Sequence, residues 1–133
     1  MVLPIARPNA VAAPQGRACV AWDPVQGLIN RAPLEGLVAV VHLAGESIAA
    51  RRWSARQKQR IRESRVQGTR FLCETLAGLE RKPRVLLSAS AIGYYGNRGD
   101  EILSEDSSPG TGFLPEVCRD WEAAVEPARQ AGI

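Results

Sequence analysis

Aromatic residues are scarce in this 133-residue chain: three Trp, two Tyr and two Phe make up 5 % of it. A surface that stacks nucleic-acid bases needs more rings, and no nucleic-acid motif accompanies the few present. Histidine occurs once, as His42 inside the apolar run Val40-Val41-His42-Leu43. No local spacing of His, Cys or carboxylates would complete a metal site around it, so it reads as a packed, hydrogen-bonded strand residue and no metal is expected. Cysteine is limited to Cys19, Cys73 and Cys118. An odd number without CxxC spacing argues against a disulfide framework or a zinc site and for a reducing cytoplasm. No apolar run approaches the roughly 18 residues that span a bilayer, so no membrane partner is expected. Acids are missing from residues 1–22, which contain Arg7 and Arg17. Pro4, Pro8 and Pro14 interrupt that stretch, which fits a structured start better than a transit peptide.

What is present is the balance of a globular protein, 45 % apolar and 23 % charged, and the length fits one domain over residues 1–133. The net charge of +3 is unevenly placed. Residues 51–70 carry eight Arg or Lys against Glu63 alone, which leaves −4 for the rest. Such an island is a solvated helix face, an anion site for a phosphorylated cofactor, or a nucleic-acid patch, and the lack of aromatics weighs against the last.

Short apolar segments alternate with longer helical ones. Strands are predicted at about Val2–Ile5, Ala18–Trp22 and Val38–Leu43. A helix follows, with Ser54 as N-cap and an end near Leu79 bracketed by Gly78 and Pro83. Phe71 or Leu72, Leu76 and Leu79 share its apolar face. Arg84–Ser88 is a nearly continuous apolar strand, as expected where a parallel sheet is covered on both faces. Ala89–Gly112 is rich in Gly, Ser, Asp and Pro and reads as a loop leaving that strand. Leu114–Ala131 reads as one helix stopped by Gly132. These pieces suit a right-handed parallel α/β arrangement that binds ligands beyond the carboxyl ends of its strands.

Three segments stand at strand ends. Gly93-Tyr94-Tyr95-Gly96-Asn97-Arg98-Gly99 fits GxxGxxG, but it runs into Asp100, Glu101 and Glu105, which would repel a pyrophosphate. A glycine-rich turn is the better reading. In Ser88-Ala89-Ser90-Ala91-Ile92-Gly93-Tyr94-Tyr95-Gly96, hydroxyls lie where a substrate would meet a bound cofactor, although Ser and Gly are also common in turns. Val40–Glu46 joins an apolar strand to Ala44 and Gly45, small residues that let a flat ring or a phosphate approach the backbone.

Taken together with Trp22-Asp23-Pro24, Arg51-Arg52-Trp53, Ser64-Arg65-Val66-Gln67-Gly68-Thr69, Glu105-Asp106 and Trp121-Glu122, these segments resemble the extended short-chain dehydrogenase/reductases. The closest likeness is to the epimerase-family branch, whose members carry a strand end like His42-Leu43-Ala44-Gly45-Glu46-Ser47-Ile48. The resemblance runs from about Val20 onward and is thinner at Leu3-Pro4-Ile5-Ala6-Arg7. It implies a partial Rossmann-like parallel sheet with flanking helices, lacking the first strand–helix unit and the carboxyl-terminal substrate region.

By position, the resemblance implies that Ala6 and Arg7 face the adenosine ribose phosphate and that Leu43, Ala44 and Gly45 line the dinucleotide. Arg65, and less so Arg60, would place a cation near it. A guanidinium grips a phosphate bidentately, so NADP is expected before NAD. Classical members use a Tyr-x-x-x-Lys pair as acid–base catalyst and ribose anchor. Here the matching places are Leu114 and Cys118, which cannot do that work. Tyr94 or Tyr95 would substitute, with Ser88 or Ser90 orienting a carbonyl. The implied function is therefore a fragment of an NADP-linked oxidoreductase acting on a small molecule and inactive alone; the alternative is a non-catalytic NADP-binding or regulatory protein.

Overall fold

The computed structural model describes residues 2–6 and 19–133. Two small sheets share a layer of helices. Strands β1 (Ile5–Ala6), β2 (Val20–Asp23) and β3 (Leu28–Ile29) form one sheet, β1 parallel and β3 antiparallel to β2. Strands β4 (Ala39–His42) and β5 (Val85–Ser88) form the other, parallel, with Val40 opposite Leu86 and His42 opposite Ser88. Between β4 and β5 runs the long helix α1 (Ala55–Ala77), and α2 (Phe113–Ala123) and α3 (Glu126–Gln130) follow β5. The β4–α1–β5 crossover is the unit expected when two parallel strands must be joined by a helix. Among the described residues, no helix is long and apolar enough to cross a membrane.

Helix α1 starts where the Ser54 hydroxyl accepts the Gln57 N–H at 3.3 Å and ends at Gly78. Its Leu72 and Leu76, with Leu79 just beyond, pack with Val20, Leu34 and Val40 into a buried cluster between helix and sheets. Another face of α1, with Ile61 and Cys73, meets α2 and α3, which bury Val117, Cys118, Trp121 and Ala128. Gly68 sits mid-helix facing β2, where an added Cβ would lie in ordinary contact, 3.8 Å from the Trp22 and Pro24 side chains.

Four sequence expectations are corrected. The first strand forms at Ile5–Ala6 instead of Val2–Ile5; the Pro4 carbonyl accepts the Val20 N–H at 2.9 Å, but proline has no N–H to extend the ladder. The second strand is displaced to Val20–Asp23 and turns back through Gly27, at φ 66°, into the antiparallel β3, which was not anticipated. Leu114–Ala131 is two helices, not one. Pro127 cannot donate and its ring crowds the carbonyl four residues back, so α2 stops at Ala123 and α3 begins at Glu126. Finally, β5 is not covered on both faces. Val41 on β4 and Leu87 on β5 are 60 % and 58 % exposed, on the sheet face away from the core.

That open apolar face is a self-association liability. The double variant Val41→Thr, Leu87→Thr puts a polar, β-branched side chain that suits a strand at both exposed positions. It should unfold within about 1 kcal/mol of the parent while lowering the concentration-dependent light scattering of the chain; unchanged scattering would show that this face does not drive association.

Candidate functional site at the strand ends

The carboxyl ends of β4 and β5 lie side by side, since His42 pairs with Ser88 in register and the Ala89 N–H donates to the His42 carbonyl at 3.0 Å. Beneath them is a buried polar junction. Thr69 of α1 is fully buried; its Oγ1 accepts the Trp121 indole N–H at 2.8 Å and lies 2.9 Å from His42 Nε2. The His42 ring also meets Trp22 edge-on at 5.7 Å. One threonine thus ties β4, α1 and α2 together directly under the loop that leaves β4.

His42 is 4 % exposed, and burial holds its imidazole below its ordinary pKa. The unfolded chain takes up a proton near pH 6.5 while the folded chain resists it, so the unfolded state binds more protons and stability falls as pH drops below about 6.5. The loss continues down to the folded-state pKa, with a slope of up to about 1.4 kcal/mol per pH unit for this one group. Urea unfolding between pH 7.5 and 5.5 should show it, and His42→Leu should flatten the dependence; an equal slope in that variant would assign it to other groups.

Residues Ala6, Leu43, Ala44 and Gly45 converge. With Ile5, Trp22, Pro24, Glu46 and Ser64 they line one cavity of about 300 Å³ beyond the ends of β1, β2 and β4. Arg65 lies directly behind it. An added Cβ on Gly45 would stand 3.1 Å from the guanidinium carbon, and that guanidinium donates to the Glu46 carbonyl at 2.9 Å and lies over the Trp121 ring at 5.2 Å. Burial lowers the pKa of Arg65, opposed by Cys118 and Glu46. Arg65 therefore braces the loop backbone. The Ser64 hydroxyl completes the brace by accepting the Glu46 N–H at 2.9 Å.

Arg60 is placed differently, in a neighbouring groove of about 590 Å³ that shares Pro24, Glu46 and Ser64 with the first cavity. Arg7 lies outside the described residues.

The serine–tyrosine segment forms a separate concavity. Ser90, Ala91, Ile92, Tyr94, Tyr95, Glu105 and Glu122 line about 490 Å³. Tyr94 and Tyr95 stand in a 3-10 turn (Ile92–Tyr95) with their rings edge-to-face at 5.2 Å. The Ser90 hydroxyl donates to the Glu122 carboxylate. Glu122 was not singled out as a site residue; it lies 32 residues from Ser90, on a face of α2 that only the packed helix reveals. Ser88 keeps its Oγ buried without a partner. Leu114 and Cys118 do not open on this concavity; both lie against Gly93, and burial pushes the Cys118 thiol up. The GxxGxxG segment makes turns, with Gly96 at φ 69° and Gly99 at φ 58°, and no helix begins until Phe113.

A parallel β–α–β crossover with small residues and a braced loop at adjacent strand ends defines a Rossmann-like α/β protein, a class that binds ligands beyond the carboxyl ends of its strands. No family model matches the chain. Individual proteins do. It is 44 % identical over 111 residues to an epimerase family protein of Mycobacterium bovis, covering 84 % of this chain and 36 % of that protein. A chloroplastic epimerase family protein SDR39U1 homolog of Arabidopsis thaliana is 38 % identical over 99 residues, 73 % of this chain and 28 % of its own. Among solved structures, the nucleoside-diphosphate sugar epimerase from Corynebacterium glutamicum superposes with a TM-score of 0.72 at 44 % identity, over 91 % of this chain and 25 % of that one. Human epimerase family protein SDR39U1, crystallised with NADPH, superposes with a TM-score of 0.65 at 27 % identity, over 69 % of this chain and 32 % of that one. The resemblance to the epimerase family read from the residues is borne out, and the chain spans about a third of the length of these curated relatives.

Proposed function

We propose that the chain carries the strand-end part of an NADP site belonging to an epimerase- or dehydratase-like oxidoreductase. The observation that carries this reading is the single cavity on which Ala6, Leu43, Ala44 and Gly45 converge. Its fit to a dinucleotide rests on three features. The walls are small at Ala6, Ala44 and Gly45; the Trp22 indole N–H on its lining is buried without an acceptor; and the loop backbone is held from behind by Arg65. NADPH in the human structure supports the choice of phosphorylated cofactor.

When bound, NADP would exchange a hydride with a hydroxyl or carbonyl carbon of a small substrate. Ser88, whose hydroxyl lacks a partner, and Ser90, fixed by Glu122, would orient the substrate oxygen, and Tyr94 or Tyr95 would hold or move its proton. Since Leu114 and Cys118 replace the usual Tyr and Lys, the chain by itself is proposed to be inactive. The same replacement favours the second reading, a non-catalytic NADP-binding or regulatory protein. Three free cysteines suit a reducing cytoplasm.

Fluorescence titration with NADPH and NADH tests the cofactor, on this chain and on a chimera carrying the flanking segments of the M. bovis relative. Preference for NADPH is expected, lost in Arg7→Ala. Ala44→Leu fills the cavity and should weaken NADPH binding at least about tenfold, with little change in melting temperature. If neither protein binds either nucleotide, the dinucleotide reading fails. If the chimera binds NADPH tightly but turns over no ketone, aldehyde or sugar, the non-catalytic reading prevails.

A further inference from the structure

The start of α1 carries a charge pattern of which the cofactor reading uses only Arg60. Arg51 and Arg52 lie in the preceding loop, shortly before the Ser54 cap, and Arg56 and Arg60 follow one turn apart on the helix. With Ser54 and Gln57 these four arginines line a cavity of about 100 Å³ that has no carboxylate on its wall. Among the described residues none of the four forms an ion pair, whereas Arg62, Arg70, Arg98 and Arg129 all do. No acid occupies the first turn of α1.

Cations at this end oppose the helix dipole, which favours anions there. The Ser54 side chain takes only the Gln57 N–H, so the N–H groups of Ala55 and Arg56 also lack acceptors within the chain. Four unpaired guanidiniums thus share one small hollow at a helix N-terminus, an arrangement that an anion lying between them would relieve. Violations of local electrostatic sense of this kind are expected where a site has been built.

We propose that this hollow binds the phosphoryl group of a small phosphorylated ligand. Guanidinium forks match phosphate oxygens bidentately, and the hollow suits one phosphate group and not a base or a sugar ring. It is not a base-stacking surface: the neighbouring Trp53 donates its indole N–H to the Ile48 carbonyl at 2.7 Å and its ring is engaged edge-on by Phe113. The site borders the strand-end loop. Gln57 donates to the Glu46 carboxylate and the Ser47 carbonyl, and Arg60 is common to the hollow and the groove holding Glu46 and Ser64. It shares no lining residue with the cavity of Ala6 and Gly45, so it stands whether or not NADP binds there.

Titration of the full chain with inorganic pyrophosphate at low ionic strength, followed by backbone amide NMR and calorimetry, tests the assignment. Saturable one-to-one binding is expected, with shifts centred on Ala55, Arg56 and Gln57. Arg52→Gln, Arg56→Gln should weaken it at least about tenfold, while Arg70→Gln, which removes a cation paired with Glu74 farther along the helix, should leave it unchanged. All three substituted positions are exposed, and circular dichroism checks that the variants keep the helix. Repeating the titration with NADPH present identifies the source: displacement assigns the phosphoryl group to the cofactor, and simultaneous binding assigns it to another ligand, each supporting the site. The proposal is overturned by non-saturating shifts spread over the basic face, by equal loss in Arg70→Gln, or by binding of a polynucleotide but not of pyrophosphate.

Discussion

Replacing Gly110 by alanine is expected to cost about 3 kcal/mol and lower the melting temperature by roughly 10 °C. The reason is backbone against backbone. The Gly110 N–H donates to the Tyr94 carbonyl at 2.9 Å, and an added Cβ would stand 2.6 Å from the Tyr95 carbonyl carbon and 2.9 Å from the Gly96 Cα. No side chain can swing aside to relieve such a contact, so the 3-10 turn carrying Tyr94 and Tyr95 must move. A near-ultraviolet circular dichroism change from the paired tyrosines should accompany the loss. Gly99→Ala is the comparison. Gly99 has φ 58° but open space around its Cβ, so only the backbone strain of about 1 kcal/mol is expected, with the tyrosine signal intact. Equal, small effects of both substitutions would mean that the Gly96–Gly110 contact is looser than the structure describes.

Thr69→Val should be comparably damaging, by about 3 kcal/mol, although it preserves shape and volume. Valine removes the oxygen that accepts the Trp121 indole N–H and that pairs with His42, leaving two buried polar groups without partners. Each such group costs roughly 1–3 kcal/mol. Thr69→Ser keeps the oxygen and loses one methyl, at about 1 kcal/mol. The contrast separates hydrogen bonding from packing: denaturant unfolding should show the valine variant well below the serine variant, and the reverse order would place the stabilisation in the methyl contact. Because the same junction underlies Leu43, Ala44 and Gly45, the valine variant should also loosen the loop, visible as faster amide hydrogen exchange at those three residues.

These two sites illustrate what could be read in advance. The crowding at Gly110 belongs to a glycine-rich loop evident from composition, yet its partner, the Tyr95 carbonyl, is known only from the fold. Thr69 appeared within a recognisable motif, but its partners lie 27 residues before it and 52 after it. Arg65 was expected to present a charge near a cofactor. In the fold its guanidinium is turned to the Glu46 carbonyl and the Trp121 ring, so it shapes the loop from behind.

The amino-acid sequence by itself determined the alternation of strands and helices, the Leu72–Leu76–Leu79 stripe, the Ser54 cap and the small residues at the end of β4. Each of these is a local matter of side-chain periodicity, capping chemistry or turn preference, decided within a few residues. The break at Pro127 has an equally local cause, but helix-forming neighbours on both sides make the segment read as one helix. Only tertiary structure decided that Ala6 meets Gly45, that Glu122 reaches Ser90, that β3 turns back on β2, and that four arginines enclose one hollow without a carboxylate. Those outcomes depend on which faces pack and how closely, and contacts between residues tens of positions apart follow from the burial of the whole core, which no local pattern specifies.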